Sequence, residues 1–123
     1  MTKQRNDNHS TEFGIWLRQQ EAINSKIGFA TTNLDYMWSN YKTGEWMLIE
    51  EKRYNTPCTY SQKELYKVMH RACKSDDNYK GVHLLVFENT NPEDGKIFWD
   101  KKEITKEQLI KILQFEEDVC LIN

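Results

Sequence analysis

The stretch over residues 33–54, "NLDYMWSNYKTGEWMLIEEKRY", decides the fold. Residues 34–41 and 45–53 carry the aromatic and aliphatic side chains typical of strands, and "KTG" between them is a turn signal, so the stretch predicts a β-hairpin. Its charges sit awkwardly in a buried sheet. Asp35 lies in the first strand, and Glu50, Glu51 and Lys52 directly follow Leu48 and Ile49 in the second. Burying charge is costly unless the charge is paired or binds a metal. Residues two apart on a strand share a face, so Glu50 and Lys52 point together while Glu51 points away. With the turn near residues 42–44, Asp35 falls across from the Glu50–Lys52 segment. Two carboxylates and an ammonium then converge at one end of the sheet.

The remaining elements build outward from the hairpin. Phe13, Trp16, Leu17 and Ile23 recur at helical spacing and predict an amphipathic helix over 11–25. A short strand is expected at 27–31. "YSQKEL" opens a second helix, with Ser61 and Glu64 at capping-box spacing and Leu65, Val68, Met69 and Ala72 as its apolar stripe. "VHLLVFE" reads as a buried strand, "NTNPEDG" as a loop and "KIFWD" as a further short strand. Thr105 and Gln108 form a second capping box before a last helix whose inner face is Leu109, Ile112 and Leu113. The predicted order is α-β-β-β-α-β, then a short strand and a closing helix. That is an α/β fold with a mixed central sheet flanked by helices.

Bulk properties suit one such domain. The chain has 123 residues, 38% of them hydrophobic and 12% aromatic, which favours a globular fold over disorder. Residues 1–10, "MTKQRNDNHS", are polar and predict a flexible arm rather than a secretory signal, leaving 11–123 as the single domain. No apolar run approaches the roughly 18 residues that cross a bilayer, so no membrane partner is expected. Cys58, Cys73 and Cys120 are widely spaced with no CxxC pair. This argues against a disulfide framework or a four-cysteine metal site and suits reduced thiols in the cytoplasm. The ending Cys-Leu-Ile-Asn lacks the basic stretch that accompanies a lipidation box. Residues 1–80 hold 12 basic and 10 acidic side chains, whereas 81–123 hold 5 and 9. The front two-thirds can therefore face a polyanion and the back third does not.

Hard carboxylate oxygens suit Mg²⁺ or Mn²⁺, and Mg²⁺ typically takes one or two carboxylates plus waters and a substrate phosphate. A lysine beside them can orient a water or offset charge developing at phosphorus. Asp35 followed by Glu50-Glu51-Lys52 resembles the D…(D/E)xK signature of the PD-(D/E)xK nuclease superfamily. Gln62-Lys63-Glu64-Leu65-Tyr66 resembles the QxxxY element of its RecB-like nucleases and Holliday junction resolvases, on the helix where that element belongs. The α-β-β-β-α-β order also resembles the superfamily's restriction-endonuclease-like core. Two departures stand out: Glu51 occupies a position that is usually apolar, and Asn33-Leu34 precede Asp35 where the family's proline would stand. A bulge would turn Glu51 into a ligand.

The resemblance implies a metal-dependent nuclease, endonuclease or exonuclease, that hydrolyses phosphodiester bonds in DNA, branched or junction DNA included, with RNA, which this fold also hosts, as a further alternative substrate. It would work in the cytoplasm of a prokaryotic cell or a phage-infected host, as a homodimer. Asp35 and Glu50 would hold Mg²⁺ or Mn²⁺ with the Glu51 backbone carbonyl, and a first-helix glutamate, Glu21 ahead of Glu12, would join them. Lys52 would position the attacking water, with Gln62 and Tyr66 arranging the lysine or the substrate phosphate. Lys63, Lys67, Arg71 and Lys74 recur along the second helix. They are either a solvated face or a stripe that contacts nucleic-acid phosphates. The alternatives are a structural salt-bridge cluster at Asp35, Glu50 and Lys52, and a catalytically silent protein of the same fold that binds or inhibits a host enzyme for a phage or mobile element. His9, His70 and His83 lack ligand spacing, and Trp16, Trp38, Trp46 and Trp99 are core candidates.

Overall fold

The computed structural model describes residues 12–31 and 33–116. The predicted arm over residues 1–10 and Cys120 lie outside the described residues. The chain divides after Thr31 into two compact units.

The first unit holds α1 (Glu12–Arg18) followed by two 3-10 turns, Glu21–Ile23 and Ser25–Ile27. The helix expected over 11–25 thus stops at Arg18. The amides of Gln19 and Gln20 donate to Trp16 and Leu17, three residues back, and Gln20 is already extended. Tightening of this kind ends a helix. The strand expected at 27–31 does not form. Ile27 instead closes a turn onto the Asn24 carbonyl, and Gly28 follows at φ 111°. Glu21 lies in the first 3-10 turn. No residue of α1 is buried, and the Phe13 and Trp16 rings stack with centroids 6.0 Å apart.

The second unit is α/β. Its elements are β1 (Tyr36–Ser39), β2 (Trp46–Lys52), α2 (Tyr60–Cys73), β3 (Tyr79–Phe87), β4 (Ile97–Trp99), β5 (Lys102–Ile104) and α3 (Lys106–Leu113). The five strands form one open sheet in chain order. β1 and β2 are the expected hairpin, paired Tyr36 to Ile49 and Trp38 to Met47. β2 and β3 run parallel, as a crossover through α2 requires, and the remaining pairs are antiparallel. β5 has no counterpart among the expected strands. It exists because Asp100 and Lys101 both adopt left-handed backbone (φ 50° and 75°), which folds β5 tightly back on β4.

Strand alternation sorts the sheet into two faces. Met47 and Ile49 of β2, Leu85 and Phe87 of β3, and Ile97 and Trp99 pack with Leu109 and Ile112 of α3 into the core. Trp99, 1% exposed, fills its centre. On the same face the Trp38 indole donates to the Leu113 carbonyl at 2.7 Å. Of the four tryptophans expected in the core, Trp16 and Trp38 remain largely exposed. His83 is buried against Trp99, its ring nitrogens 2.6 Å from Asp100 Oδ2 and the Lys80 carbonyl. Gly81 permits this close approach. At φ 105° it forms the irregularity between β2 and β3, and a Cβ there would sit 2.8 Å from His83 Nε2.

The opposite face carries Leu48, Glu50 and Lys52, aligned with Val82, Leu84 and Val86 of β3. α2 covers it through Gln62, Leu65, Tyr66, Met69 and Cys73, all half-buried. Val68 and Ala72, expected in the apolar stripe, are exposed. The half-buried residues follow the i, i+3, i+4, i+7 spacing from Gln62, which leaves Val68 and Ala72 on the flank of the stripe; the helix is capped by Thr59 rather than Ser61. Among the described residues no helix is long and apolar enough to cross a membrane.

Candidate metal and phosphate site

Antiparallel pairing of Tyr36 with Ile49 puts the preceding residue, Asp35, across from Glu50. Its Oδ2 accepts the Glu51 amide at 2.8 Å, which latches the entry of β1 to the end of β2. Glu50 is 4% exposed, an unusual position for a carboxylate. Its Oε2 faces two donors at long range, Gln62 Nε2 at 3.5 Å and Lys52 Nζ at 3.6 Å. The second is an ion pair rather than a hydrogen bond. No group meets its buried Oε1 at full hydrogen-bond geometry, and the Tyr66 hydroxyl is the neighbour that interacts weakly with this carboxylate.

These contacts leave the site short of positive charge. Burial pushes the Glu50 carboxyl above its usual range, and the Asp35 charge pushes it further, while Tyr66 and Lys52 pull it back only in part. The Tyr66 hydroxyl is itself buried without a partner at hydrogen-bonding geometry. Its ionisation is strongly suppressed, first by burial and then by the neighbouring Glu50 charge. A buried carboxylate beside a second carboxylate is an arrangement a divalent cation relieves, because hard oxygen ligands and negative charge are both in excess. Asp35 and Glu50 fit such an ion. Among the described residues, no group of three or more His, Cys, Asp or Glu side chains is arranged to hold a metal. Two carboxylates with a backbone carbonyl and waters are a smaller protein set than that, and one that Mg²⁺ accepts.

Glu51 sits on the other face. Its carboxylate accepts from Tyr36 Oη at 3.1 Å and Arg53 Nε at 2.9 Å, and the hydrogen bond from Tyr36 raises that phenol's pKa. The β2–β3 register runs unbroken from Leu48 to Lys52, and its one irregularity lies earlier, between Trp46 and Leu48. No bulge therefore turns the Glu51 side chain toward Glu50.

α2 supplies the other half of the site. Thr59 Oγ1 accepts from the Gln62 amide at 3.1 Å, and Gln62 Oε1 accepts from the Thr59 amide at 3.0 Å, a reciprocal capping box. The predicted box at Ser61 and Glu64 is displaced by this one. The Gln62 side chain thereby spans from the helix cap to Glu50. Tyr66, one turn on, faces the same carboxylate. The structure thus brings Asp35, Glu50, Lys52, Gln62 and Tyr66 together. Glu21 belongs to the other unit.

Along α2, Lys63, Lys67, Arg71 and Lys74 are all exposed. Lys67 is held by Glu64 at 3.1 Å, so its charge is partly spent within the helix. One neighbour escaped the sequence reading. Cys58, in the β2–α2 loop, is half-buried and feels the charges of Lys52, Glu50 and Lys63; burial is the main cause that pushes its thiol up. A single thiol in a loop carries no periodicity that would have flagged it. Comparison with known proteins finds no match to this chain, whether among family models, curated proteins or solved structures.

Proposed function

We propose that the chain is a metal-dependent nuclease that hydrolyses phosphodiester bonds in DNA, with the hairpin, α2 and β3 as the part of a restriction-endonuclease-like core that carries the site and without the strand expected at 27–31. The observation that carries this reading is the Glu50 carboxylate, 4% exposed, beside the second carboxylate of Asp35 and the Lys52 ammonium. A structural salt bridge would be better satisfied. Buried ion pairs repay their desolvation only when geometry is close and the remaining lone pairs are well met, and the 3.6 Å approach of Lys52 with a second carboxylate alongside falls short of that.

Asp35, Glu50 and the Glu51 carbonyl would hold Mg²⁺ or Mn²⁺, which supplies a Lewis acid for a phosphate oxygen. The protein's own groups do the rest. Lys52 orients the attacking water through its ammonium and offsets charge building at phosphorus. The water oxygen bonds to phosphorus, its proton passes to solvent, the ester P–O bond breaks, and the leaving oxygen takes up a proton. Gln62 holds Glu50 in place from the cap of α2, and Tyr66 stays neutral beside it as a hydroxyl able to donate to a phosphate.

The test pairs binding with chemistry. Mg²⁺ or Mn²⁺ should raise the melting temperature, since an ion that binds only the folded state stabilises it. With metal, the protein should cleave at least one member of a panel of linear, circular, single-stranded and branched DNA, and Glu50→Ala should stay folded without cutting any. A flat melting response together with no cleavage of any substrate would refute the proposal and return the cluster to a structural role.

A further inference from the structure

Residues 53–59 run directly from Lys52 to the start of α2, and both ends of this loop carry an exposed tyrosine. Tyr54 is 65% exposed and Tyr60 is 77% exposed. One stands two residues after Lys52 and the other two residues before Gln62, so they bracket the candidate site along the chain. Cys58 of the loop is half-buried and lies near enough to Lys52 and Glu50 to feel their charges.

The backbone beneath Tyr54 is fixed rather than loose. Tyr54 and Asn55 both adopt left-handed φ (57° and 56°), and their amides donate to the carbonyls of Asn89 and Phe87, each at 3.1 Å. The Thr56 hydroxyl then closes back on the Arg53 carbonyl at 2.6 Å. Left-handed backbone is uncommon for a bulky residue and is kept where surrounding structure enforces it. Tyr60 is the first residue of α2, directly after the Thr59 cap. Exposed cations stand near both rings in the chain: Lys63 follows Tyr60, and Arg53, which precedes Tyr54, is paired through Nε with Glu51 at 2.9 Å. Exposed rings carried on a fixed backbone near cations form a surface on which unpaired bases stack while the backbone phosphates meet positive charge. A paired duplex hides its base faces and cannot use such rings.

We infer that the β2–α2 loop is a base-stacking platform, with Tyr54 and Tyr60 selecting an unpaired stretch of DNA for the adjacent carboxylate site. This rests on the nuclease reading for what happens to the strand, but binding tests it without cleavage. The full chain would be titrated, in EDTA, against fluorescein-labelled oligonucleotides of equal length: a thymidine single strand, the same strand with abasic positions, and a duplex. Stacking is worth enough per base that the single strand should bind at least tenfold more tightly than the abasic strand or the duplex. Tyr54→Ala with Tyr60→Ala should erase that difference, and Tyr54→Phe with Tyr60→Phe should keep it, since phenylalanine retains the ring face. Equal affinity for the base-bearing and abasic strands, or an unchanged preference in the double alanine variant, would overturn the inference. Cleavage of duplex DNA with metal alongside either result would leave the nuclease reading standing. Preferential single-strand binding without any cleavage would support the platform and sink the nuclease.

Discussion

At Glu50, burial and the Asp35 charge act in the same direction, and both favour the protonated form. The consequence for stability has a definite sign. A carboxyl whose folded pKa lies above its unfolded value binds more protons in the native state, so stability falls as pH rises from the ordinary glutamate range through the raised folded pKa, then levels off. Glu50→Gln keeps the shape and removes this slope. Without metal, the variant should melt about 4 °C higher at neutral pH, corresponding to about 1 kcal/mol. The gain should vanish in acid, and the variant should lose the Mg²⁺ response. Melting curves from pH 4 to 8, with and without metal, check all three. These residues were legible in the sequence because a strand's period of two assigns faces without ambiguity. Cys58 and Tyr54 were not, because a loop gives no period and left-handed backbone at a tyrosine has no sequence signal.

At the scale of elements, the helix caps separate a purely structural role from one joined to the site. The segment "TYSQKEL" contains two overlapping capping-box matches, Thr59 with Gln62 and Ser61 with Glu64. Spacing alone could not choose between them. Thr59 wins in the structure, and with it Gln62 gains both the cap and Glu50. Thr59→Ala should cost about 1 kcal/mol of stability and also reduce cleavage, because Gln62 is released from its latch. Thr105→Ala removes the equivalent cap of α3, far along the chain from the site, and should cost a similar amount while leaving cleavage intact. Urea denaturation beside a cleavage assay distinguishes the two. The hairpin, α2, β3 and the α3 cap were readable from periodicity and turn chemistry. β5 was hidden because its two-residue turn uses Asp100 and Lys101 instead of a glycine, and α1 ended early through local 3-10 bonding that apolar spacing does not encode.

For the molecule as a whole, the two carboxylates occupy strands of very unequal security. Glu50 stands on β2, between β1 and the long β3, while Asp35 precedes a four-residue strand at the sheet margin whose side chains are all exposed. Segments with few buried contacts open locally at much lower free energy than the core. Transient fraying of β1 would therefore carry Asp35 away and disarm the centre while the rest of the sheet persists. Amide hydrogen exchange should show β1 exchanging far faster than β2 or β3 in the apo protein, and Mg²⁺ should slow β1 selectively by fastening its entry to β2. With Asp35 on so lightly held a segment, an ion bound between it and Glu50 would be what completes the sheet's margin.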